Sequence, residues 1–88
     1  MNVIYSPVFN KELRKLKDQS LLRRIGKALE NVERAQSLSD ISQIRKLEGG
    51  SNYYRIRVGD YRLCFTVEDE AISFKCCRHR SSVYNDLP

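Results

Sequence analysis

The sequence predicts a two-layer α+β domain in which an N-terminal strand and a helical hairpin pack on a mostly antiparallel twisted sheet. Two observations carry that expectation. Apolar residues in the front half recur every three to four positions, and after Ser37-Leu38-Ser39-Asp40 the period drops to two. The alternating runs are also separated by short turns, which connect antiparallel neighbours.

Each element follows in order. Asn2 to Tyr5 reads as a short strand stopped by Ser6-Pro7, with Ser6 as N-cap and Pro7 at the first helical position. Phe9, Leu13 and Leu16 then form one apolar stripe. Asp18-Gln19-Ser20 breaks that helix, and Ser20 is expected to cap a second one carrying Leu22, Ile25, Leu29 and Val32. Ile44 and Leu47 lead into a Gly49-Gly50-Ser51-Asn52 turn. Tyr54, Ile56 and Val58 alternate with Tyr53, Arg55 and Arg57; Gly59-Asp60 is a hairpin signal. Tyr61, Leu63, Phe65 and Val67 continue on the apolar parity, and after an acidic turn so do Ile72, Phe74 and Cys76.

The 88 residues support one domain, 1–88, with about 64% of the unfolded surface buried on folding. No apolar run approaches a membrane span. The first residues lack the basic start and apolar core of a secretory signal, so a cytoplasmic chain with no membrane partner is expected. Cys64, Cys76 and Cys77 carry no C-x-x-C spacing and read as small buried hydrophobes, with no metal site and no cofactor implied.

Charge narrows the partners. Sixteen Lys and Arg against eleven Asp and Glu leave a net +5, which favours a polyanionic or acidic partner. Arg55, Arg57 and Arg62 share the parity away from the core, and Asp60 is the single carboxylate between Tyr53 and Val67. Like charges on neighbouring strands repel, a cost that an anion bound between them would remove. Arginine forks suit phosphate oxygens. The tail adds His79, the sole histidine, able to exchange protons near neutrality. It also adds Tyr84, which would need nearby positive charge to do so.

These features together resemble the RelE/ParE superfamily of toxins from type II toxin–antitoxin systems. The resemblance is carried by Ile44-Arg45-Lys46-Leu47-Glu48-Gly49, Tyr54-Arg55-Ile56-Arg57-Val58, Tyr61-Arg62-Leu63 and His79-Arg80-Ser81-Ser82-Val83-Tyr84. It implies a RelE-like fold and, for the RelE branch, a ribosome-dependent mRNA endonuclease that inhibits translation. The ParE branch implies a DNA gyrase inhibitor instead. A nucleic-acid-binding module without chemistry is the third reading of the basic face. For the ribonuclease, the resemblance implies metal-free attack by the RNA's own 2′-hydroxyl. Arg62, Arg78, His79 and Tyr84 are the candidate catalytic residues. Arg55, Arg57, Lys46 and Arg80 are candidate phosphate contacts. Either Tyr84 or His79 would move the protons, since arginine cannot act as a base. The implied partners are a cognate antitoxin, the ribosome and mRNA, and a toxin–antitoxin hetero-oligomer that binds its own promoter. Strict alternation from Phe74 puts His79 on the basic face and Arg78 on the core parity, unless a bulge near Cys77 re-aims Arg78.

Overall fold

A computed structural model describes residues 2–47 and 52–82. Five strands form one sheet in the order β1-β5-β4-β3-β2: β1 (Asn2–Tyr5), β2 (Ile44–Lys46), β3 (Tyr53–Val58), β4 (Tyr61–Glu68) and β5 (Ala71–His79). The pairing is antiparallel except for β1, which runs parallel to β5. Helices α1 (Pro7–Arg14) and α2 (Gln19–Arg34) follow β1 and cover one face. Phe9, Ile25 and Val32 meet Ile56, Leu63, Phe65, Ile72 and Phe74 there, all at most 2% exposed. The α+β two-layer architecture is the one the periodicity predicts.

Local chemistry sets the helix limits. The Ser6 hydroxyl accepts the Phe9 N–H at 3.1 Å, with Pro7 at the first helical position. The expectation fails at the second cap. Asp18, not Ser20, closes the N-terminus of α2, its carboxylate accepting the Leu21 N–H at 3.1 Å. Asp is as strong a cap as Ser, and capping two residues earlier adds about half a turn, with Leu21 in the core. The buried stripe therefore starts at Leu21 rather than Leu22 and runs through Ile25 to Val32. Helix α1 ends at Arg14, so Leu16 lies beyond it, though still packed against the core.

The hairpin between β3 and β4 turns at Gly59, whose φ of 59° favours glycine. Asp69 and Glu70 make the β4–β5 turn with φ of 50° and 66°, a strained choice for residues with side chains. Residues 49–51 of the expected glycine-rich turn lie outside the described residues. Asn52 beside them donates to the Val67 carbonyl at 3.3 Å.

One irregularity decides what the open face carries. Cys64 pairs with Cys76 but Phe65 pairs with Phe74, so Lys75 is an extra residue in β5. A bulge of this kind reverses the alternation beyond it. Cys77 therefore joins the core opposite Leu63, and Cys76 leaves the apolar face where the alternation of Ile72 and Phe74 had placed it. Arg78 lands opposite Arg62, and His79 opposite Tyr61. The strict-alternation placement of His79 on the basic face is thereby corrected.

Candidate nucleic-acid interface

The helix-free face collects arginines from four strands. Arg45 of β2 lies opposite Arg55 of β3, Arg57 of β3 opposite Arg62 of β4, and Arg62 opposite Arg78 of β5. Strands about 4.8 Å apart bring such cross-strand neighbours within side-chain reach.

Three of the forks, those of Arg57, Arg62 and Arg78, are held from behind. The Arg62 Nη1 donates to the carbonyls of Gly59 and Tyr61, both at 3.0 Å. The Arg78 Nε donates to Glu12 Oε2 at 2.6 Å, both side chains about one-fifth exposed. Glu12 has a second task. Past Phe74, β1 no longer covers β5, and the other Glu12 oxygen accepts the Cys77 N–H at 3.1 Å in place of a strand. The Arg57 Nη2 lies 3.4 Å from Gln43 Oε1. The Nε atoms of Arg55 and Arg62 are buried. These anchors reduce the entropy lost when a guanidinium binds an anion.

Cys64 and Cys76 form the floor, at 0% and 3% exposure. The hydrogen bond to Cys76, then burial, pushes the Cys64 thiol well above its usual range, outweighing the pull of Arg55 and Arg78. Burial, then the Glu12 charge, pushes Cys77 up to about 12. Both thiols are neutral near pH 7 and act as packing, not as nucleophiles or ligands. Among the described residues no three His, Cys, Asp or Glu side chains are grouped to hold a metal ion.

The other expected site residues lie elsewhere. His79 turns its ring edge-on to Tyr61 at 5.6 Å, and its Nδ1 accepts the Ser81 N–H at 3.2 Å. Arg80 is exposed beside the hairpin turn, its backbone N–H donating to the Asp60 carbonyl at 2.7 Å. Lys46 lies opposite Tyr54, a ring stacked on Phe65, and so belongs to the helix-side parity. Its neighbour Arg45 holds the position among the arginines. That exchange was available to sequence reasoning, because alternation from Ile44 already puts Arg45 on the basic parity. Glu12 carried no such signal, being 66 residues from Arg78. Tyr84 lies outside the described residues.

A helical hairpin on a mixed sheet with a basic open face defines the class of protein, and comparison with known proteins gives the family. Residues 3–84 match the family model described as the ParE toxin of a type II toxin–antitoxin system, parDE. The chain is 36% identical over 89 residues, covering all of both chains, to Toxin RelE3 of Methanocaldococcus jannaschii. Among solved structures it superposes on the RelB–RelE antitoxin–toxin complex of Methanococcus jannaschii with a TM-score of 0.81 at 33% identity, covering 97% of this chain and 99% of that one. The RelE–RelB complex of Pyrococcus horikoshii gives 0.71 at 26% identity, covering 90% and 93%. The YoeB dimer of Staphylococcus aureus gives 0.70 at 25%, covering 90% and 95%. The chain belongs to the RelE/ParE superfamily and is a toxin of the type II toxin–antitoxin class. No helix among the described residues is long and apolar enough to cross a membrane.

Proposed function

We propose that the chain is a ribosome-dependent mRNA endonuclease that cleaves by attack of the RNA 2′-hydroxyl on its own phosphate. The observation that carries this reading is the cross-strand line Arg57, Arg62, Arg78. RNA brings its own nucleophile, so the protein must place the phosphate, stabilise the charge that develops on it, and move two protons. Fixed guanidinium groups perform the first two tasks, with Arg62 and Arg78 nearest the reacting phosphate and Arg55 and Arg57 beside them. His79 pairs on the Tyr61 side of β5, so Tyr84, the tail tyrosine that the family resemblance singles out, is our choice for proton transfer. His79 and Arg80 then support the tail rather than the reaction, and Arg45 makes the contact expected of Lys46. The chain acts in the cytoplasm, where the ribosome supplies the substrate geometry that so small a surface cannot impose. A cognate antitoxin, of the kind seen with the RelE and YoeB relatives, restrains it by placing carboxylates against the arginines.

A second reading, gyrase inhibition, is favoured by the match to the ParE model. The two separate in one pair of assays. Single-turnover cleavage of ribosome-bound mRNA should be readily measured for the wild type and absent with a 2′-deoxy sugar at the scissile position. Inhibition of DNA supercoiling without mRNA cleavage would replace the first reading with the second.

A further inference from the structure

We propose that a second cation-lined cavity, at the seam between α2 and the β2–β3 edge, binds phosphates of the RNA strand that flank the reacting one. The proposal rests on the ribonuclease reading and extends it to a subsite outside the strand arginines. The cavity, of about 360 Å³, is lined by Arg24, Lys27, Arg57, Asn31, Ser42 and Gln43 over an apolar wall of Ala28, Ile56 and Val58. Among the described residues no carboxylate lines it. Three cations and three neutral hydrogen-bonding side chains match the oxygens of a phosphodiester and would leave an ammonium or guanidinium group unpaired.

Its position ties it to the open face. A neighbouring cavity of about 320 Å³ shares Gln43 and Arg57 and adds Arg45 and Arg55. The two therefore meet at a pair of residues, and that pair is fixed. The Gln43 carbonyl accepts the Arg57 N–H at 3.2 Å, and its side chain holds the Arg57 fork. Gln43 does this at a φ of 61°, a left-handed conformation that a side chain disfavours and that clusters at ligand sites. Gly59 provides a second link. Arg24 Nη1 lies only 3.1 Å from where a Gly59 side chain would begin, so the bare turn admits Arg24 on the helix side. On the open-face side the Gly59 carbonyl accepts Arg62. An RNA backbone crossing the strands from Arg78 through Arg62 to Arg57 thus runs on into the seam, where Arg24 and Lys27 take the next phosphates.

The probe is a fluorescein-labelled single-stranded RNA with 2′-O-methyl sugars, which cannot be cleaved, read by anisotropy over a salt series. Each phosphate contact to single-stranded nucleic acid contributes about 0.7 to the slope of log affinity against log salt. The double variant Arg24→Gln, Lys27→Gln should therefore flatten the slope by about 1.4, while Lys15→Gln, Lys17→Gln, outside both cavities, should leave it unchanged. Thermal melts report folding; if the double variant melts early, Lys27→Gln alone should still flatten the slope by about 0.7. An unchanged slope in the seam variants overturns the proposal, as does a wild type that binds no RNA. So does a loss confined to binding of an acidic peptide, which would reassign the seam to an antitoxin. The two readings fail separately. A wild type that binds RNA with the expected slopes but never cleaves mRNA loses the ribonuclease and keeps the seam. Cleavage with an unchanged slope does the reverse.

Discussion

On the helix-covered face, Tyr5, Phe9, Phe74 and Phe65 form a run of ring contacts with centroids between 5.1 and 5.6 Å apart. On the opposite face of the same strands, arginines stand directly across from one another over the buried side chains of Cys64 and Cys76. The first arrangement gains stability from every contact. The second holds like charges together and keeps them there with hydrogen bonds to Gly59, Tyr61 and Glu12. One face is organised to fold the chain and the other to meet an anion, so substitutions on the two faces should separate stability from activity.

The largest expected effect is on the apolar face. Phe74→Ala should cost about 3–5 kcal/mol, a large share of the 5–15 kcal/mol typical of a whole domain, as read from urea unfolding. Arg62→Ala should invert the pattern. Loss of a charge-stabilising donor should reduce single-turnover cleavage by about 10²–10³, while the unfolding midpoint moves little because relief from Arg57 and Arg78 offsets the lost carbonyl contacts. A normal cleavage rate in a folded Arg62→Ala protein would remove the phosphate role from this face.

The thiol on the core side gives a pH test. Cys77 is held neutral up to about 12 in the folded chain but ionises near 8.5 when unfolded. The folded state binds more protons between those values, so stability should fall as pH rises through that window. Cys77→Ala should remove that part of the slope in melts recorded across alkaline pH. The smallest effect is expected at the β4–β5 turn, away from both cavities. Glu70→Gly should gain about 0.5–1 kcal/mol by relieving a positive φ, a rise of several degrees in melting temperature at this size.

Much of this comparison was legible in the sequence. Ser6-Pro7, the apolar period of the helices and the Gly59-Asp60 hairpin are local signals, and they placed the elements and the parity of Arg55, Arg57 and Arg62. What escaped was non-local or degenerate. Asp18 and Ser20 are both good caps, and only the packing of Leu21 chooses between them. Nothing in Phe74-Lys75-Cys76 marks a bulge; it shows only in the register of β5 against β4. The partnership of Glu12 with Arg78 depends on α1 lying along an edge of β5 that β1 leaves open. Arg45, in contrast, is readable, since alternation from Ile44 places it on the basic parity.

Lys75 has a consequence for tolerance to insertions and deletions. Strand β5 holds one more residue than its ladder with β4 requires, which makes it a reservoir of slack. Removing Lys75 should turn the bulge into a regular ladder while Cys76 still meets Cys64 and Arg78 still meets Arg62. Removing Thr66 from β4, a strand with no such spare residue, should exchange the inward and outward sets over part of its length. Length variants of this chain should therefore survive at one point of β5 and fail in β4. Soluble yield and a cooperative melt for the Lys75 deletion, against neither for the Thr66 deletion, are the expected result; equal tolerance would show that the extra residue gives no slack.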